Sequence, residues 1–183
     1  MNTPQPASSV VPMSMSVDSP VVVVQGLDAE MEDKSSQQQQ QQELKLVTLD
    51  GAITLVDRST MSLLSDLVNK ALEDDKDADM IPINMNRDPL TMKLLKTYVD
   101  RCKSDPTHAK CPLRFHKPIV AGKKLEEIFG DWNAANIVLP LVRNPDPFLG
   151  NKVHAELTML ATWFNIPPLY QICVAAHVIP LVG

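Results

Sequence analysis

Glycine is scarce in this chain of 183 residues: there are six, and no two are close together. That removes the Gly-rich phosphate loops and dinucleotide fingerprints, and neither Gly-x-Ser-x-Gly nor His-Glu-x-x-His occurs. Cysteines number three, an odd and ungrouped set that predicts reduced thiols rather than a disulfide framework. Long apolar runs are also missing. The first forty residues offer only Val21 to Val24, far short of a signal-peptide core or a membrane span, and they have no basic leader. No arginine precedes Arg58, which argues against a mitochondrial transit peptide. These absences predict a protein of the cytoplasm or nucleus, with no membrane partner and no enzymatic activity.

Charge of one sign is lacking as well, once the chain is divided. Residues 1–43 hold six acids against Lys34 alone, leaving 16 acids and 16 bases for the rest. The rest is neutral overall and has no global field for nucleic acid. Residues 1–43 show neither a helical nor a strand period, are rich in Pro, Ser and Val, and end in the run Gln37 to Gln42. Such a composition cannot bury enough apolar surface to offset ~1–2 kcal/mol of backbone entropy per residue, so it predicts a disordered tail. The folded domain is expected over 44–183.

What is present begins at Leu44. Leu44 to Leu49 and Ala52 to Val56 are two strand-like runs around Asp50-Gly51, which predicts a hairpin closed by a two-residue type I′ turn. Leu44 and Leu46 share one face, as do Ile53 and Leu55. Leu64, Leu67, Val68, Ala71 and Leu72 then recur at helical steps. The acidic stretch Glu73 to Asp79 lacks the Gly and closing Glu of a calcium loop and reads as a connector to a third strand, Met80 to Asn84. Asp88-Pro89 opens a helix with the stripe Leu90, Leu94, Leu95, Tyr98 and Val99. Val153, Leu157, Leu160, Ala161 and Phe164 form a further stripe. Leu169, Ile172, Cys173 and Ala176 form another, beyond the break at Pro167-Pro168. Cys173 is expected in the core, and His177 at a helix end where its cation suits the dipole.

Residues 104–145 read as a divergent connection with one short helix, Lys123 to Phe129. They carry Lys110, Arg114, Lys117, Lys123 and Lys124 with no acid between Asp105 and Glu126. A basic run of this kind is either a solvated loop or a contact for an acidic partner. Cys102, His108, Cys111 and His116 lack the paired spacing of structural zinc, so no metal or cofactor is expected. Cys111 with His116 or His154 could supply a thiol and a base, but no local nucleophile signature surrounds them.

The stretches LKLVTLDGAITLVD, LSDLVNKALEDD, YVDRCKSDP and NPDPFLGNKVHAELTMLATWFNIPPLYQICVAAHV resemble the SKP-type adaptors and Elongin C of cullin-RING ubiquitin ligases, which have the BTB/POZ fold. The resemblance implies an α+β domain, a three-stranded sheet with a hairpin start and helices packed around it. It implies a non-catalytic adaptor that joins a cullin-type scaffold to a substrate receptor. In the family the Asn-Tyr pair of an Ala-Asn-Tyr motif faces the cullin; the matching residues here are Thr162 and Trp163 within Ala161 to Ile166. Tyr98 stands where the family has a tryptophan, and is either a core-edge aromatic or a contact. SKP-type adaptors continue into two further helices that clasp an F-box, and these have no counterpart after Val182. A final helix from Pro168 to Val182 should then expose apolar surface, with Leu169, Tyr170, Ile172, Ile179 and Leu181 lining a groove for an F-box or related box helix. The alternative is that the segment from Lys110 to Phe129 folds back over this face through Leu125, Ile128 and Phe129. Two further readings stay open: a structural POZ subunit of another assembly, and a homo-oligomerising POZ module.

Overall fold

The computed structural model of the protein describes residues 42–110 and 124–178, so the tail, the middle of the basic run and the last five residues lie outside it. Strands β1 (Glu43–Thr48), β2 (Ile53–Asp57) and β3 (Met80–Ile83) form one sheet in the order β2-β1-β3. β1 runs antiparallel to β2 and parallel to β3. The class is α+β and the sheet opens with a hairpin, both as expected.

The turn differs from expectation. Gly51 N–H donates to Thr48 C=O at 2.9 Å and Thr48 N–H to Ala52 C=O at 3.0 Å, so Leu49, Asp50 and Gly51 form a three-residue loop. Gly51 alone there has a positive φ, +82°, as a type I turn followed by a glycine bulge requires; a type I′ turn would need a second. The one-residue shift decides which face is buried. Leu46 now pairs with Thr54 and Leu44 with Val56. Leu44, Leu46 and Val56 enter the core, while Ile53 and Leu55 are 61% and 40% exposed on the outer face.

Asp57 ends β2 and caps α1 (Arg58–Leu64), accepting from Thr60 N–H at 2.9 Å. The single helix expected here is two. Ser65 N–H closes α1 on Met61 C=O at 3.0 Å, and its hydroxyl oxygen accepts from Val68 N–H at 3.2 Å to start α2 (Asp66–Asp74). A hydroxyl that bonds locally to backbone offers the chain this alternative to an unbroken ladder. Arg58 then donates to the carbonyls of Ala78 and Lys76, pinning the acidic connector before β3.

Helix α3 (Pro89–Ser104) starts on Asp88 and Pro89 as expected, and its stripe faces inward. Tyr98 is fully buried, which resolves its role in favour of the core. The connection that follows is more structured than its sequence suggested. A 3₁₀ turn (His108–Lys110), α4 (Leu125–Phe129) and α5 (Asp131–Asn133) lead through a π turn (Ala134–Val138) into α6 (Leu139–Val142). Phe129, Ala134, Ile137, Val138 and Leu141 are all core residues. Pro140 hid this stripe: it has no N–H for the Asn136 carbonyl, and the regular ladder gives way to the π turn just before it.

Asp146 caps α7 (Pro147–Trp163), accepting from Phe148 N–H at 2.9 Å. α8 (Pro167–Val178) begins one residue before its expected start, and its expected end at Val182 lies outside the described residues. α7 packs on α3, α6 and α8, and α3 lies against β2, so one continuous core joins sheet and helices. Each fully buried Leu, Ile or Phe contributes ~1.5–3 kcal/mol to holding it. Among the described residues no helix is long and apolar enough to cross a membrane.

Candidate protein-docking surface

The residues that matter here are set by how α7 stops. Ile166 N–H donates to Ala161 C=O at 2.8 Å and Asn165 N–H to Thr162 C=O at 3.1 Å, the paired bonds of a Schellman stop. The stop needs a left-handed residue, and Asn165 supplies it with φ +52°. The turn is then tied to the break between α1 and α2. Ser65 Oγ donates to Phe164 C=O, and Asn165 Nδ2 donates to Asp66 Oδ2 at 2.9 Å. Phe164 points into the core and is wholly buried, which turns its neighbour Trp163 outward to 38% exposure. The two rings touch, centroids 4.7 Å apart, so the indole is held on one side and open on the other.

Trp163 forms one wall of a cleft of about 370 Å³. Met159 and Thr162 join it from α7, one helical turn and one residue away. The opposite wall comes from the end of β3 and the connector to α3: Ile83, Asn84, Met85 and Arg87. Met85, Met159 and Trp163 are each more than a third exposed, which makes this a contiguous apolar patch rather than scattered side chains. Thr162 is exposed, but its hydroxyl donates to Thr158 C=O at 2.9 Å and is occupied with its own helix.

The sequence-derived positions divide. Thr162 and Trp163 both line this cleft. The groove on α8 does not form as drawn. Leu169 is fully buried and Ile172 is 2% exposed, because α8 packs this face on α7 and the π turn. Phe129 and Ile172 line one pocket beside Pro168, and most of the segment from Lys110 to Phe129 that the fold-back alternative invokes lies outside the described residues. Tyr170 is exposed at 42%, on the other side of α8. Ile179 and Leu181 lie outside the described residues. Met159 was missed, although its place four before Trp163 on the same helix face is a signal that could have found it. Met85 and Arg87 had no such signal, since nothing in the order Met-Asn-Arg-Asp says where a strand–helix connector will lie.

Neither described cysteine has the surroundings of a nucleophile. Burial pushes the Cys102 thiol up to about 11 and the Cys173 thiol up to about 12. His154 donates from Nε2 to Cys173 C=O at 2.7 Å, which places it at the α7–α8 contact. Cys111 and His116 lie outside the described residues, and among the described ones no group of three metal-ligating side chains occurs. Burial also lowers the pKa of His108, against an Asn133 hydrogen bond at 3.1 Å that works the other way. The Asn133 amide donates to Phe129 C=O at 3.0 Å, so its oxygen accepts from the imidazole. His108 sits between Tyr98, tilted to it at 5.6 Å, and Trp132, edge-on at 5.2 Å, and lines the same pocket as Pro168 and Ile172 of α8. The sequence matches no protein-family model and no curated protein.

Proposed function

We propose that this protein is a non-catalytic adaptor of BTB/POZ type, which links a cullin-type scaffold to a substrate receptor in a ubiquitin ligase. The observation that carries the reading is Trp163. It is a large amphipathic aromatic at a helix end, 38% exposed beside two exposed methionines, at the position that the resemblance assigns to scaffold contact. Aromatics of this kind dominate interface hot spots, where truncation costs about 2 kcal/mol or more. The three-stranded sheet with a hairpin start and helices packed around it is what the resemblance implies, and supports the reading at that level. Receptor contact falls to the exposed side of α8, at Tyr170 and Val174, since the inner side is filled.

The test is capture of the protein by the N-terminal domain of a cullin-type scaffold from the same genome. Trp163→Ala should abolish capture while leaving the thermal transition nearly in place; capture that survives the substitution sinks the reading. A second reading, a POZ subunit of another assembly or a homo-oligomer, is favoured by the outer face of the sheet. Ile53, Leu55 and Met80 stand 61%, 40% and 47% exposed there. Light scattering on the purified protein detects the homo-oligomer, and affinity purification followed by mass spectrometry detects the other assembly.

A further inference from the structure

The Trp163 cleft has one charged residue in its lining, Arg87, and that residue is poorly satisfied. A guanidinium has five N–H donors in a fixed fork. Arg87 gives one to the carbonyl of its own neighbour, Asn86, at 3.3 Å, and another to the thioether of Met85 at 3.0 Å, a weak acceptor. Its Nε is buried and makes no hydrogen bond among the described residues. The nearby carboxylates are committed elsewhere. Asp88 accepts from Leu90 N–H at 3.0 Å and pairs with Lys152 at 3.3 Å. Glu156 accepts from Asp88 N–H and from the Thr91 hydroxyl, both at 2.8 Å. Of the other polar groups along the cleft, the Thr158 and Thr162 hydroxyls are turned back to the carbonyls of His154 and Thr158, and Asn84 is exposed.

We infer that the segment docking in this cleft is an amphipathic piece of a partner protein that presents a carboxylate to Arg87 and apolar side chains to Met85, Met159 and Trp163. A carboxylate matches the guanidinium fork with two parallel hydrogen bonds, which no acceptor now on Arg87 provides. The two methionines, unbranched and polarizable, fit a range of apolar side chains, so Arg87 is the group that selects by charge. This rests on the reading of the cleft as a docking site, though not on which scaffold uses it.

The experiment measures binding of three helical peptides of about 16 residues to the full chain. They are identical but for one position, and carry leucines at i and i+7 with Glu, Gln or Lys at i+3. The Glu peptide should bind at least about tenfold tighter than the Lys peptide, with the preference falling as salt rises. Arg87→Gln should flatten the order, Arg87→Glu should invert it, and Trp163→Ala should weaken all three by about tenfold. Equal binding of the three peptides, no binding by any of them, or a Glu preference that survives Arg87→Gln overturns the inference. A cullin-type N-terminal domain run in parallel separates the two proposals. If that domain fails to bind while the Glu preference holds, the adaptor reading falls and the acidic-partner inference stands. If the domain binds and Arg87→Glu changes neither its affinity nor its salt dependence, the reverse is true.

Discussion

The outer side of α7 and the inner side of α8 are both apolar, and they meet opposite fates. Among the described residues Met159 and Trp163 face the end of β3 and the β3–α3 connector, which leaves a cleft between them and Met85. Leu169, Ile172, Cys173 and Ala176 are covered by α7 and by the π turn of the chain's own middle segment. Both sides are apolar. What differs is whether another element of the chain reaches the face; for α8 those elements are α7 and, beside it, a stretch whose helical content Pro140 disguised. An apolar stripe therefore tells where something will pack, and the rest of the fold decides whether the occupant is internal.

The largest effects should come from attacking the filled side. Leu169→Ala removes a fully buried side chain and should cost about 2–5 kcal/mol in urea unfolding, whereas Trp163→Ala should cost under about 1 kcal/mol. Similar losses for the two would mean that Trp163 is a core residue and that the contrast drawn here is wrong.

A smaller loss tests how α7 is seated. A Cβ on Gly150 would stand 2.9 Å from Asn144 Cβ and 3.1 Å from Leu141 C=O, and the backbone oxygen cannot swing away. Gly150→Ala should destabilise by about 1–3 kcal/mol, although alanine is the better helix former. A neutral or stabilising result would show that α6 and α7 can move apart.

The sheet side offers a change that should leave the cleft untouched. Asp57 caps α1 and pairs with Lys103 of α3 at 2.7 Å. Burial alone would raise its pKa, but Lys103, Thr60 and Ser59 outweigh that and hold the carboxyl well below the usual carboxylate range. Asp57→Ala should cost about 2 kcal/mol, mostly the lost cap, since Lys103 remains half in water. The sign follows from a depressed folded value. The contribution is present above the unfolded pKa of ~3.9 and is lost as pH falls through the lower folded one. Peptide binding at Trp163 should be unchanged in this variant at pH 7; a loss there would couple the two ends of α3.

Much of the scaffold was legible because its signals are local. Asp88-Pro89 announced α3, and the stripe from Val153 to Phe164 announced α7 with every member buried. Thr162 and Trp163 came from the resemblance, which matches them to the family's Asn-Tyr pair, and not from a local signal. The failures share a cause, which is that backbone geometry between elements is not written in any one residue. Asp-Gly serves a two-residue and a three-residue loop equally, and a single-residue difference exchanged the buried and open faces of β2. Ser65 reads as one more polar residue in a helix until its hydroxyl is seen to cap α2 and bond across to Phe164. Arg87 and Met85 reached the cleft through a connector with no periodicity at all.

The smallest expected effect concerns the packing that closes α8. His108 lies among Tyr98, Trp132 and Asn133, with Arg101 and Asp105 the charged groups around it. Burial, with a smaller contribution from Arg101, depresses its pKa below the ordinary 6.5, while Asn133 and Asp105 oppose the change. The unfolded chain therefore takes up a proton near 6.5 that the folded chain resists, so stability rises with pH in that window and is lost as pH falls below it. His154 and His177 stand in contact elsewhere, so the readout must be a difference between variants. Urea unfolding at pH 7.5 and 5.5 should show a shallower loss for His108→Gln than for the parent chain, and peptide binding at the Trp163 cleft should show no matching change between the variants. If the His108→Gln slope equals the parent's, the imidazole is not held neutral under α8. If instead cleft binding follows His108, then the open and filled sides of the helical layer are linked, and the separation between them argued above does not hold.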